Sequence, residues 1–404
     1  MGEPLVIVGA GMAATRLVKE LTTRALGRYS IVVVGDEPRA PYNRVLLSSL
    51  LAGEIEDDAL DLAPHGFWAR NGVTRINGAA VAAIGRSRKC VMLANGVELP
   101  FSKLVLATGS QAIRLPSPGM SLPGVITFRD VADVEFMRTR VAPAARVTVI
   151  GGGLLGIEAA YGLARTGRCV TLVHLMDRLM ERQLDARAAA LLKAAIERKG
   201  VKVLLNADTA CVECDDRAQA LALKDGRRIE SDLVVCAVGI RPNHALAGSA
   251  GLKVNRGVVV DDGLASDDAS IFALGECAEH RGVCYGLVEP AYDQAAVLAR
   301  RLAGDRSALY AGSMLATNLK VSGVSVFSAG DFNDEGRDRI VYEDASSGVY
   351  KKLVVENDCL LGAVLIGDTA DALWYLDMIR TSAPLGALRD SLAFGRALSM
   401  RLAA

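Results

Sequence analysis

Uninterrupted apolar runs that close on glycine set the pattern of this chain. Leu5-Val6-Ile7-Val8 stops at Gly9-Ala10-Gly11-Met12-Ala13-Ala14, Arg16 to Leu26 reads as a helix, and Ile31-Val32-Val33-Val34 stops at Gly35-Asp36-Glu37. The order is strand, glycine turn, helix, strand. It returns later. Arg146 to Ile150 reads as a strand, Gly151-Gly152-Gly153-Leu154-Leu155-Gly156 as the turn, Ile157 to Arg165 as a helix and Val170 to Val173 as the second strand. One supersecondary unit is therefore repeated within the chain.

Each repeat is followed by short strands around a tight turn. Val91-Met92-Leu93 precedes Asn95-Gly96, and that stretch ends in Leu104-Val105-Leu106-Ala107-Thr108-Gly109. A similar stretch turns at Asp225-Gly226 and ends in Leu233 to Gly239. From Leu264 to Leu302 the chain is expected to return to the first unit, because Ile271-Phe272-Ala273-Leu274-Gly275-Glu276 followed by a helix supplies a further strand and cap. Residues 317 to 367 alternate in strand fashion around Gly323, Gly330, Gly348 and Gly362, with an amphipathic helix from about Ala370. The expected fold class is α/β, two nested dinucleotide-binding domains of the Rossmann kind plus a C-terminal α+β domain. The expected boundaries are 1–112 and 241–306 for the first nucleotide domain, 113–240 for the second and 307–404 for the last.

A length of 404 residues suits two or three packed domains. Lys plus Arg equals Asp plus Glu, 46 each, so no global field draws the chain to nucleic acid or an anionic membrane. No apolar run approaches a bilayer span and no secretory signal opens the chain, so a cytoplasmic protein is expected. The eight cysteines lack framework spacing, which fits a reducing compartment. Cys211-Val212-Glu213-Cys214 has the spacing of a redox pair but sits in a strand-rich stretch, where ordinary thiols are expected. The four histidines make no metal spacing, and no nucleophile, histidine and acid arrangement emerges.

The turns carry the chemistry. Gly9 permits the tight bend, Gly11 lets the backbone approach a pyrophosphate, and small Ala13 and Ala14 let the helix close on the strand. Asp36 or Glu37, with Glu37 preferred, can accept hydrogen bonds from a ribose. Gly151, Gly153 and Gly156 repeat these demands, and Glu158 follows on the same helix as the candidate for holding a nicotinamide. Where an acid would end the second strand of this unit stands His174, with Asp177 and Arg178 just beyond, so the choice between NADH and NADPH is open on this feature alone.

The order of motifs resembles the pyridine-nucleotide-dependent FAD oxidoreductases, the family of glutathione reductase and the ferredoxin and rubredoxin reductases. The likeness runs from residue 4 to about 305 through both turns, Ala107-Thr108-Gly109-Ser110, Thr127-Phe128-Arg129-Asp130, Gly239-Ile240-Arg241-Pro242-Asn243 and Phe272-Ala273-Leu274-Gly275-Glu276. It implies FAD on the first unit and NADH on the second, hydride passing from one to the other. It further implies that Val81, Ala107, Thr108, Gly109, Arg129, Gly275 and Val288 line the flavin, that Gly239 belongs to the nucleotide sites, and that Glu276 replaces the usual aspartate on the ribityl chain. Two longer strings, Pro41-Tyr42-Asn43-Arg44 through Gly53-Glu54 and His174 through Asp185, resemble the FAD and NADH module of assimilatory nitrite reductase large subunits and the electron-transfer subunits of assimilatory nitrate reductases. Gly275 to Gly282 and Leu319-Lys320-Val321-Ser322-Gly323-Val324 extend that likeness. In ferredoxin reductases the first string usually ends in Ser-Lys; Ser49 stands in the lysine's place and leaves Arg44 as the nearest candidate cation.

The cysteine-rich iron-sulfur and sirohaem regions of a nitrite reductase do not follow, so the resemblance implies an input module serving a separate nitrate or nitrite reductase subunit. A reductase for rubredoxin or ferredoxin is the alternative in the same class. A flavin redox sensor that docks a regulator is the alternative from another class.

Overall fold

The computed structural model describes residues 2–214, 218–321 and 323–402. Contacts divide the chain into two compact units, each built from separated stretches of sequence. Ser322 of the last string quoted above lies outside the described residues.

The first unit comprises Met1–Leu47, Glu56–Gln111 and Ile240–Ser313. Its centre is a five-stranded sheet in the order Ile271–Ala273, Lys103–Leu106, Glu3–Val8, Tyr29–Val34, Thr74–Ile76. Every neighbouring pair is parallel. Leu5, Val6, Ile7 and Val8 are all buried, as a strand covered on both faces requires. The register matters most for function. Val8 pairs with both Val34 and Leu106, Leu106 with Ala273, and Val34 with Ile76, so five strands end on one line. Their next residues are the glycine turn and its companions, at the edge where open α/β sheets bind ligands.

The second unit comprises Ser48–Ile55, Ala112–Gly239 and Met314–Ala404. It repeats the plan with a parallel sheet ordered Val201–Leu204, Cys169–Val173, Arg146–Ile150, Leu233–Cys236, Val125–Thr127. Ile150 pairs with Val173 and Cys236, so here too the strand ends align.

Both turn helices begin earlier than the apolar pattern predicts, at Met12 instead of Arg16 and at Leu154 instead of Ile157. Gly11 and Gly153 are their extended N-cap residues, and the Thr15 and Ile157 N–H groups close the first turns onto Gly11 O and Gly153 O. These first turns fall within the glycine motif, whose residues the apolar pattern assigns to the bend although Ala14 and Gly156 are already buried helix residues.

The C-terminal stretch of this unit forms an antiparallel sheet ordered Ala316–Val321, Val324–Gly330, Cys359–Ile366, Val349–Glu356, Asp338–Asp344, followed by the helix Ala372–Thr381. Alternation survives in the edge strand Asp338–Asp344. The inner strand Val349–Glu356 is instead buried from Tyr350 through Val355. Helix Ala372–Thr381 contributes Tyr375, Leu376 and Ile379 to one cluster with Leu353, Val355 and Leu365, while Asp185, which caps helix Ala186–Glu197, accepts a 2.8 Å bond from the Tyr350 hydroxyl. Two lysines are therefore buried in that strand, each with an acid: Lys351 with Asp368 at 2.7 Å and Lys352 with Asp334 at 2.9 Å. Among the described residues no helix is long and apolar enough to cross a membrane, and no cluster of His, Cys, Asp and Glu could hold a metal ion.

Candidate nucleotide-binding sites

In the first unit, Gly9 takes φ +109°, and a Cβ there would lie 2.1 Å from Ala107 O. Only glycine lets this turn press against the neighbouring strand end. Gly11 is the opposite case, since a Cβ there would meet nothing within 4 Å. The turn is thus closed toward the protein and open at the helix N-terminus, where unpaired N–H groups and the helix dipole favour an anion. Ala14 is buried, and Ala13 packs toward Gly275, whose own Cβ position is 3.0 Å from the Ala13 Cβ.

The remaining candidates of this unit gather at the same strand ends. Asp36 is exposed, whereas Glu37 accepts from the Tyr42 hydroxyl at 2.8 Å and pairs with Arg44. The Arg44 guanidinium also lies 5.0 Å from the Tyr42 ring centroid. Both Glu37 oxygens are oriented by these partners, and each keeps a further lone pair for a hydroxyl donor. Thr108 and Gly109 are clasped by Asn243: Thr108 Oγ1 donates to Asn243 O at 2.7 Å, Asn243 Nδ2 to Thr108 O at 2.9 Å, and Asn243 N to Gly109 O at 2.9 Å. Glu276, in the short turn Gly275–Cys277, accepts from Ser110 Oγ at 2.8 Å. Gln294 Oε1 accepts the Gly275 N–H at 2.7 Å. Val81 opens the strand Val81–Gly85, and Val288 opens the helix Val288–Leu302.

The second unit repeats the turn. Gly151 has φ +116° with a Cβ position 2.3 Å from Ala237 O, Gly156 would place one 1.8 Å from Gly151 O, and Gly153 faces open space. Gly239, three residues past its strand, has φ +123° and accepts the Ile113 N–H. Arg129 follows the strand Val125–Thr127, and its N–H donates to Asp133 at 2.7 Å. Burial raises the Asp133 carboxyl above its ordinary pKa, with Asp130 adding to the effect.

His174 is tucked beneath the turn. Its Nδ1 accepts the Gly152 N–H at 2.9 Å, which places the proton on Nε2, 3.2 Å from Glu181. Both ring nitrogens are engaged by the protein, and in the following loop Asp177 and Arg178 pair with each other at 3.1 Å.

Glu158 sits on the helix Leu154–Arg165. Burial pushes its carboxyl up to about 7, and a hydrogen bond from Ser48 offsets part of that rise. Ser48 and Ser49 lie in the helix Leu47–Leu51, and the segment Ser48–Ile55 packs along the Glu158 helix. A Cβ on Gly162 would lie 2.9 Å from Leu51 Cγ, Arg165 Nε donates to Ala52 O at 3.2 Å, and Arg165 lies 3.8 Å from Glu54.

Sequence reasoning did not single out Ser48, Asn243, Asp133 or Gln294. Asn243 and Ser48 fall within the strings quoted above but gain no role there, because each of the four acts on a residue far away or in a turn of irregular backbone. Among the cysteines, Cys211 and Cys214 lie on one strand, Thr209–Cys214, and Cys277 and Cys284 have thiol pKa values raised by burial, which disfavours the reactive thiolate.

The two closed-and-open turns match what a dinucleotide pyrophosphate demands, and the match extends beyond local geometry. Residues 3–296 fit the model of the pyridine nucleotide-disulphide oxidoreductases. The chain belongs to that family. It is accordingly an oxidoreductase, and FAD and a nicotinamide dinucleotide are the family's cofactors. Residues 316–383 fit the rubredoxin NAD+ reductase C-terminal domain. Nitrite reductase [NAD(P)H] of Bacillus subtilis (strain 168) is 43% identical over 382 residues, 94% of this chain and 48% of that protein. The assimilatory nitrate reductase electron transfer subunit of the same organism is 39% identical over 376 residues, 93% of this chain and 49% of that protein. The chain thus spans about half the length of these relatives. Among solved structures, the covalent putidaredoxin reductase–putidaredoxin complex superimposes with TM-score 0.85 at 27% identity, covering 95% of this chain and 94% of the matched one. The expected family, the α/β fold class with a C-terminal α+β part, and the cofactor classes are borne out.

Proposed function

We propose that this chain oxidises NADH and passes the electrons through FAD to a nitrate or nitrite reductase centre. The observation that carries the reading is the doubled turn, each closed on its own sheet and open where a pyrophosphate would sit. FAD supplies the ability to accept one hydride, a pair of electrons with its proton, and to release the two electrons singly. The chain's own residues do the rest. Gly9, Gly11, Ala13 and Ala14 shape the flavin pyrophosphate cradle, and Glu37, oriented by Tyr42 and Arg44, receives the ribose hydroxyls. Ala107, Thr108 and Gly109, held by Asn243, together with Val81, Gly275 and Val288, border the flavin, and Glu276 faces its ribityl hydroxyls with Ser110 fixing one oxygen. Gly151, Gly153, Gly156 and Gly239 hold the second dinucleotide, His174 supports its turn from below, and Glu158 takes the nicotinamide end.

The long similarity to an electron transfer subunit of assimilatory nitrate reductase supports this acceptor. Purified holoprotein given NADH should reduce a nitrate reductase catalytic subunit as readily as an artificial dye. Normal dye reduction with no transfer to that subunit would sink the assignment. The C-terminal fit to the rubredoxin NAD+ reductase domain favours a second reading, reduction of rubredoxin or a small ferredoxin. Whichever carrier is reduced fastest decides between them.

NADH is the proposed donor. Arg178 is tied to Asp177, so a 2′-phosphate meets an acid together with its cation. The specificity constant for NADH should exceed that for NADPH several-fold. The reverse preference would overturn the choice.

A further inference from the structure

Burial brings the titration of the Glu158 carboxyl near neutrality, and the element that opposes this comes from a distant part of the sequence. Ser48–Ile55 is inserted between two stretches of the first unit yet packs with the second. It is fastened along helix Leu154–Arg165 by Leu51 against Gly162, by Arg165 to Ala52 O, and by the Tyr161 hydroxyl 3.5 Å from Glu54. That fastening fixes where the Ser48 hydroxyl lies. Its hydrogen bond to the Glu158 carboxyl favours the ionised form, set against the cost of burying a charge.

Several of the other ionisable side chains described on the elements packed here are engaged elsewhere. Glu54 pairs with Arg165, Lys199 stacks 5.3 Å from the Tyr161 ring centroid, and Arg146 is held by Glu230 and Asp232. Cys169 and Lys202 lie on the neighbouring strands Cys169–Val173 and Val201–Leu204. None of these contributes to the Glu158 shift, whose causes are burial and Ser48.

We propose that Ser48 is a positioning residue that sets the protonation of Glu158, and through it the preference of the nicotinamide site for the oxidised over the reduced cofactor. The proposal rests on the reading that Glu158 takes the nicotinamide end. Oxidised nicotinamide carries a positive ring charge and the reduced form does not. An ionised Glu158 therefore favours NAD+, and a protonated one removes that attraction. NAD+ binding must then lower the carboxyl pKa and release a proton to solvent. The hydroxyl donates to the ionised form, so its loss moves the titration upward.

Calorimetric titration of the FAD-loaded protein with NAD+ in buffers of different ionisation enthalpy counts the protons released at each pH. In the unmodified protein the release should peak near neutrality. Ser48→Ala should move the peak upward by roughly one pH unit, equivalent to about a tenfold change in the carboxyl's acidity. Ser48→Thr, which keeps the hydroxyl, should restore the original position, a rescue that loss of packing alone would not give. Glu158→Gln should abolish the release. A Ser48→Ala peak coincident with the unmodified one, while Glu158→Gln still abolishes release, would overturn the role of Ser48 and leave the nicotinamide assignment of Glu158 standing. Unchanged proton release and unchanged NAD+ affinity in Glu158→Gln would overturn both.

Discussion

A Gly11→Val protein is expected to fold normally and to leave the column without its yellow colour. Gly11 has φ −89°, which valine tolerates, and its Cβ would touch nothing within 4 Å. The protein therefore has room for the side chain, at a cost of about 1 kcal/mol for a poor N-cap residue. The room is the point, because two methyl groups would occupy the space at the helix N-terminus where a pyrophosphate must come close. Flavin affinity should fall by roughly 100-fold or more, about 2.7 kcal/mol. Visible absorbance relative to protein reads the loss, and the flavin-free variant should unfold with the flavin-free parent. Stoichiometric flavin in Gly11→Val would refute the placement. Gly153→Val offers the matched control in the second unit, where colour should persist and reduction by NADH should fail. Gly9→Ala belongs to a different class, since its Cβ would drive into Ala107 O at 2.1 Å and damage the sheet edge itself.

The second large effect concerns stability. Asp185→Ala should destabilise the second unit by about 2–4 kcal/mol, combining a lost N-cap with a buried donor left unpaired. Asp185 Oδ1 accepts the Ala188 N–H at 2.9 Å as the cap of helix Ala186–Glu197, and its Oδ2 accepts from the Tyr350 hydroxyl and lies 3.6 Å from Lys352 Nζ. Tyr350 and Lys352 are buried in the C-terminal sheet, so neither can turn to bulk water without disturbing it. Asp185→Asn keeps one oxygen for the Ala188 N–H but turns an NH2 group, which cannot accept, toward the Tyr350 hydroxyl and Lys352, so it should preserve the cap and cost less than alanine without matching the parent. Urea midpoints compare the three proteins, and an alanine variant within error of the parent would show that the clamp is dispensable. Asp334, the other partner of Lys352, adds an acid dependence. Lys352 and then Arg339 hold its carboxyl at about 2, below the ordinary 3.8. Its contribution is thus complete above the unfolded value and disappears as pH falls through about 2.

What the sequence made legible was local. The two glycine turns, their strands and the acid at Glu37 lie within short windows, and the geometry of each turn demands glycine at fixed offsets. The helix starts differ because the first helical turns overlap the glycine motif, where small residues read as a bend. His174 could be located but not interpreted, since its bond to the Gly152 N–H depends on how the strand end sits beneath the turn. Nothing in the sequence marks Lys351 and Lys352 as buried, and their burial is visible only with Asp368 and Asp334 in place. Ser48 was hidden most completely, because 110 positions separate it from Glu158 and neither residue's neighbours encode the meeting.

That meeting bears on how this protein can be dissected. The nicotinamide half has no gene segment of its own. A fragment beginning at Ala112 would carry the second glycine turn and every strand of its sheet, yet it would lack Ser48–Ile55. The face of helix Leu154–Arg165 that receives Leu51 at Gly162 would be stripped of its cover, and the Glu158 carboxyl would lose its hydroxyl donor. In excised fragments and domain-swapped chimaeras built at the boundaries that sequence suggests, the Glu158 carboxyl should thus titrate differently from that of the intact chain.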